Sequence, residues 1–216
     1  MNALKNTLMA AAIGSALGLA SVNATAGGRV APQRYIDEQT QADLQFMREE
    51  EKLARDVYLE LADTWNLAVF ENIAQSEQRH MDSVENLVDK YGIDDPVLNE
   101  SERGNFVNPD LQALYEQLLL DGSDSATDAL FVGALIEEVD INDLQSAIET
   151  TSAPDVLRVY ENLLRGSRNH LRAFVAKLEL EGIVYEAQVL SQEEVDEILN
   201  TPTERGSPRR RNGNKR

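Results

Sequence analysis

The chain has two histidines, His80 and His170. His80 belongs to a Glu77-x-x-His80 pair inside the stretch VFENIAQSEQRHMDSVENLVDKY, residues 69–91. Stepping through it by three and four gives Phe70, Ile73, Glu77, His80, Val84, Leu87 and Tyr91, an apolar helical row interrupted by two polar residues. A carboxylate and an imidazole three apart on one helical face can hold a single metal ion. This is the spacing of carboxylate-bridged metal sites in four-helix bundles. Alone the motif is weak, because Glu-x-x-His also recurs on solvated helices. Three further apolar rows, however, carry the same kind of interruption. Leu44, Met47, Ala54, Tyr58, Leu61 and Trp65 enclose Glu51; Leu130, Ala134, Ile141, Leu144 and Ile148 enclose Glu137, with Asp140 beside it; Tyr160, Leu163, Phe174 and Leu178 enclose Ser167 and His170. Glu50 lies close to the Glu51 row and Glu138 adjoins Glu137, so each is a rival ligand. Glu49, Glu50 and Glu51 also form a charge run, whose plainer reading is a solvated face.

Several carboxylates drawn into one low-dielectric layer would cost several kcal/mol each and repel one another, so a counter-charge is needed to keep them there. Glu51, Glu77, Glu137 and Asp140 carry the charge that two divalent ions would neutralise, and His80 with His170 completes six ligands. The competing reading is a polar, water-filled layer, or glutamates rotated out to solvent. Carboxylate-rich coordination of this kind suits iron or manganese better than copper and leaves zinc open. The chain has no cysteine, which excludes a rubredoxin-type iron centre and thiol catalysis.

Four helices must position these residues. Asp37 can cap a helix from about residue 38, and a break near Asn66 makes it a hairpin with the Glu77 helix. A long connection rich in Asp, Asn, Pro and Gly, Gly92 to Ser123, carries one short apolar piece at 111–119 and can cross from one end of a bundle to the other. Ser123 to Ser125 cap a third helix reaching about Thr150, and Pro154 opens a fourth that Gly182 can end. Ser191-x-x-Glu194 is a capping box for a small helix at 192–200. Counted from the two hairpin turns at about 1.5 Å per residue, the polar interruptions fall within about 12 Å of height. The expected fold class is all-α: two antiparallel hairpins joined by a long crossover, plus short accessory helices. The expected segments are a signal peptide at 1–26, an irregular lead-in at 27–37, the four-helix domain at 38–190, a short helix at 191–201 and a basic disordered tail at 202–216.

Residues 1–26 hold Lys5, an apolar run TLMAAAIGSALGLASV and Ala24-Thr25-Ala26, the form of a signal-peptidase site with cleavage after Ala26. The run is short for a retained anchor. The expected location is therefore periplasmic or secreted, with no stable membrane insertion after cleavage. The formal net charge is −18, and the body is more acidic still, because six of the basic residues lie in the tail beyond Thr203. Such a body repels nucleic acid and attracts cations, or simply keeps the protein soluble. Expected partners are divalent metal ions, with a second copy of the chain as a further candidate.

The segment EKLARDVY, Glu51 to Tyr58, followed by Glu77-x-x-His80, resembles the first half of rubrerythrin and the ferritin-like di-iron proteins, including a tyrosine seven residues after the first glutamate. More closely, EEEKLARDVYLEL, SEQRHMDSVENLVDKYG, GALIEEVDINDL and ENLLRGSRNHLRAF resemble an uncharacterised bacterial and archaeal family of ferritin-like proteins, domain of unknown function family 2202. The likeness covers about residues 38–190. It implies a ferritin-like four-helix bundle with Glu51, Glu77, His80 and Glu137 as ligands to one or two iron ions, and Tyr58 as a hydrogen-bond donor behind them or a one-electron donor. It brings no agreed activity. The fourth helix departs from the di-iron pattern, with Ser167 where Glu-x-x-His expects a glutamate. Either Asp140 supplies the missing oxygen or the site holds one metal. The expected function is an exported metal-binding protein that oxidises Fe(II) with dioxygen or peroxide; the alternatives are a non-catalytic metal-binding or sensing module and a structural interaction domain of the cell envelope.

Overall fold

Each helix begins where the sequence offers a cap. The Asp37 carboxylate accepts the Thr40 N–H and opens α1, Glu38–Trp65. Asn66, at a left-handed φ of 52°, reverses the chain, and α2, Ala68–Tyr91, runs until Gly92 ends it at φ 67°. Asn108 and Pro109 start α3, Pro109–Asp121, and Ser125 caps α4, Ala126–Thr150. Pro154 occupies the first turn of α5, Pro154–Leu180, where its missing N–H has no partner to lose. Ser191 caps α6, Gln192–Asn200, by accepting the Glu194 N–H. The Glu194 carboxylate accepts from Gln145 rather than returning to Ser191, so only one arm of the expected capping box forms. This computed structural model describes residues 35–206, and among them the chain is all-helical, with six helices and no strand. The expected leader with its cleavage after Ala26, the lead-in up to residue 34 and the tail from residue 207 lie outside the described residues. No helix among those described is long and apolar enough to cross a membrane.

The four long helices pack antiparallel to their neighbours. Gln45 near the start of α1 bonds the Asp94 carbonyl just past the end of α2. Thr127 at the start of α4 meets Glu181 at the end of α5. Tyr91 at the end of α2 donates to Asp155 at the start of α5, and Trp65 at the end of α1 donates to the Gly122 carbonyl ahead of α4. The connection from α2 to α4 therefore travels the length of the molecule, with α3 laid against α1 and α4. Two apolar clusters result. One gathers Tyr58, Phe70, Leu130, Phe174 and Leu178; the other gathers Leu44, Met47, Val84, Leu144, Tyr160 and Leu163. Full burial of each such side chain contributes about 1.5–3 kcal/mol, and the polar interruptions occupy the layer between the clusters.

The solvated-face reading of the Glu49–Glu51 run does not hold on α1. Every residue from Met47 to Tyr58 is buried, including the whole Glu49–Glu51 run. The crossover covers the face that periodicity would assign to solvent. Glu49 accepts the N–H groups of Val107 and Asn108. Arg48 pairs with Asp95 and Glu100. Lys52 reaches Asp56 at 2.5 Å and the Glu102 carbonyl at 2.7 Å, and Arg55 reaches Asp56 at 2.7 Å and the Glu100 carbonyl at 2.8 Å. Buried charges are tolerated only when paired in this way.

Candidate metal centre

Glu51 on α1, Glu77 and His80 on α2, Glu137 on α4 and His170 on α5 meet in the polar layer. His80 Nδ1 lies 2.7 Å from Glu77 Oε2 and 3.1 Å from Glu51 Oε2. His170 Nδ1 lies 2.7 Å from Glu77 Oε1 and 3.4 Å from Glu137 Oε2. Glu77 thus turns one oxygen to each histidine. Two triads share it, Glu51–Glu77–His80 and Glu77–Glu137–His170, and within each the ligand-type atoms lie within 4.8 Å of one another. The two imidazoles stack with centroids 5.6 Å apart.

His80 Nδ1 pairs with Glu51 Oε2, while other atoms of the group crowd together without hydrogen-bond alignment. His170 Nδ1 and Glu77 Oε1 are close, yet both remain buried without a hydrogen-bond partner, as does Glu51 Oε1. Lone pairs and ring nitrogens that converge but do not pair are what a cation takes up, at about 2.0–2.2 Å per bond. The donor set of the two triads fits that requirement.

Asp140 stands beside both triads and belongs to neither. Its Oδ2 accepts from the Ser167 hydroxyl, which also faces the Leu163 carbonyl, while its Oδ1 is buried without a partner. Ser167 on α5 and Asp140 on α4 thus hold one another across the two helices. Tyr58 donates to Glu137 Oε1 at 2.6 Å and holds that carboxylate in place. Gly166 leaves room for His80: a Cβ there would lie 2.5 Å from His80 Cε1 and 2.6 Å from Nε2. Sequence periodicity did not point to Gly166, because a glycine leaves no mark on an apolar row.

Electrostatics follow the packing. Burial by itself would lower His170, but the carboxylates of Glu77 and then Glu137 raise it to about 10. His80 likewise stands well above its ordinary value, burial being outweighed by Glu51 and Glu77. Glu77 is pushed up by burial and held below the usual carboxylate range by His170 and His80. Burial and then repulsion from Glu137 raise Asp140 to about 8. Glu51 and Glu137 are raised, burial again being the largest cause. The Tyr58 hydroxyl is raised by burial and by Glu137, which keeps its proton on the phenol.

Both rivals point elsewhere. Glu138 accepts the Tyr185 hydroxyl at 2.6 Å and the N–H groups of Gln188, Val189 and Leu190 at 3.0, 2.7 and 2.8 Å, which fastens the segment after α5 to α4. Glu50 turns toward Asp143 and the leucines of α3.

A profile of the uncharacterized protein domain DUF2202 matches residues 40–202. The chain belongs to this family. A DUF2202 relative, the uncharacterized protein MJ0754 of Methanocaldococcus jannaschii, is 52 % identical over 178 residues, which covers 82 % of this chain and 96 % of that protein. The crystal structure of hypothetical protein MJ0754 from Methanococcus jannaschii superposes with a TM-score of 0.78 at 50 % identity, covering 81 % of this chain and 99 % of the solved chain. The matched span takes in all six described helices, α1 from its third residue, and every residue of the two triads.

Proposed function

We propose that this DUF2202 protein is an exported, ferritin-like metal-binding protein. Its four long helices hold one or two divalent cations, iron first and manganese or zinc as alternatives, and it oxidises Fe(II) with dioxygen or peroxide. The observation that carries the reading is the shared Glu77, whose two oxygens face two histidines in two triads with a common carboxylate edge. Glu51 and His80 would complete one position, and Glu137 and His170 the other. Asp140, which accepts from Ser167, is the further carboxylate of this layer that could join them. When bound, a pair of iron ions supplies one-electron steps between Fe(II) and the oxidant. The chain's own part would be to offer Glu77 to both positions, to keep Glu137 oriented through Tyr58, and to present His80 and His170 as imidazoles that lose their protons on ligation. Export rests on the leader at residues 1–26.

Anaerobic loading of the metal-free protein with Fe(II), followed by air, should give about two irons per chain and a rise in ferric absorbance. Glu77→Gln should bind at least about 100-fold more weakly, since even residues behind metal ligands are worth 10–100-fold. A non-catalytic module is the second reading, favoured by Ser167 and by the seat of Asp140 outside both triads. Iron retained with a flat absorbance trace would select it.

A further inference from the structure

Among the described residues, almost every buried carboxylate has a hydrogen-bond donor or a cationic side chain. Glu49 takes two backbone N–H groups, Asp56 takes Lys52 and Arg55, Glu138 takes four donors, Asp140 takes Ser167, and the triad acids face histidines or Tyr58. Glu50 differs. Only 5 % of it is exposed, its Oε2 has no partner, and the group it touches is another acid, Asp143. A small apolar cavity between α1, α3 and α4, lined by Leu53, Leu111, Leu118 and Ile136, borders it and offers no donor.

The placement of these acids is ordered. Asp143 is half-buried at the surface of α4, and one turn inward along the same face stands Asp140, also with an unpartnered buried oxygen. Glu50 adjoins Glu51 on α1. An outer pair, Asp143 and Glu50, thus leads to an inner pair, Asp140 and Glu51. The opposite side of the centre has another character. His80 and His170 show 12 % and 11 % of their side chains, and on their side of the centre Gly166 of α5 packs against the His80 ring, while Arg168 and Arg172 of the same helix are paired with Glu204.

We propose that Glu50 and Asp143 form the port by which divalent cations reach the centre: Asp143 takes the ion from solvent, and Glu50 passes it to Asp140 and Glu51. This rests on the metal-binding reading above. A glutamine of the same shape would fill the Glu50 position with a smaller desolvation cost, so an acid there needs a reason that packing does not supply. Cation transit is that reason, because an ion passing between Glu50 and Asp143 would bring the positive charge that their surroundings lack.

The test mixes metal-free full-length protein with Co(II) in a stopped-flow spectrometer and follows the rate and final amplitude of the visible absorbance. Glu50→Gln and, separately, Asp143→Asn should fill at least tenfold more slowly and reach the wild-type amplitude, with Glu50→Asp recovering part of the rate. Asp143 is half-exposed, so its variant keeps the test open if Glu50→Gln fails to fold, as judged by circular dichroism. Wild-type rates in both folded variants would overturn the port. A reduced final amplitude would overturn it too, by making Glu50 a ligand. No absorbance change in the wild-type protein would instead sink the metal-binding reading on which the port depends.

Discussion

Neighbouring residues on a helix point about 100° apart, and at this centre that angle separates roles. Glu137 faces His170 while Glu138, one step on, satisfies four donors of the segment after α5. Glu51 faces His80 while Glu50 faces Asp143. The consequence can be measured at Glu138 and Tyr58. Glu138→Ala would orphan a phenol and three backbone N–H groups, so we expect a loss of about 3 kcal/mol or more in denaturant unfolding, with metal content unchanged. Tyr58→Phe removes one hydroxyl and leaves Glu137 Oε1 without its 2.6 Å donor. It should cost about 1–3 kcal/mol and weaken the Glu77–Glu137–His170 position about 10–100-fold in calorimetric titration, sparing the Glu51 half. Equal weakening of both halves would mean that Tyr58 does not act through Glu137.

At the scale of elements, the centre depends on how closely α5 approaches α2. Gly166 is the contact, since a Cβ would lie 2.5 Å from His80 Cε1, and the imidazole rather than the helix backbone is free to give way. Gly166→Ala should therefore move His80 out of the Glu51–Glu77–His80 triad and halve the metal bound per chain, by elemental analysis, while helical content stays the same. Retention of both metals would show that α5 shifts instead. The crossover has the corresponding role on the other side. By drawing Arg48, Lys52 and Arg55 into pairs with the backbone and acids of residues 95–102, it turns α1 from an amphipathic helix into a buried one. With the leucines of α3, that cover desolvates Glu50.

For the whole molecule, the apolar clusters on either side of the polar layer stabilise a fold whose middle is electrostatically costly without cations. The pH dependence of the metal-stripped protein should show it. His170, raised to about 10, contributes stability that is present in full below its unfolded value of about 6.5 and lost as pH rises toward 10. Asp140, raised to about 8, works in the same direction, because the fold favours its protonated form and loses that advantage as pH climbs from about 4 to 8. Glu77, held low, has already delivered its contribution above the ordinary carboxylate range. Chelator-treated protein should thus melt at a lower temperature at pH 9 than at pH 6, and metal loading should narrow the gap, because bound cations replace the imidazolium protons. A melting temperature that rises from pH 6 to pH 9 in the stripped protein would contradict this account.

Much of the helical framework was legible in the chain. The caps at Asp37, Ser125 and Ser191, Pro154 in the first turn of α5 and the turn at Asn66 are local signals, and the 3.6-residue rows already carried Glu51, Glu77, His80, Glu137 and His170. Periodicity can do this because it records which face of a helix is apolar and where polar residues break that face. It cannot record what covers the remaining faces. Tertiary structure alone decided that the Glu49–Glu51 run is buried, that Asp140 leans on Ser167, that Glu138 serves the segment after α5, and that Gly166 admits the His80 ring. Each of these depends on residues at least 27 positions apart in the chain meeting across helices, as Asp140 and Ser167 do, and no local spacing encodes such meetings.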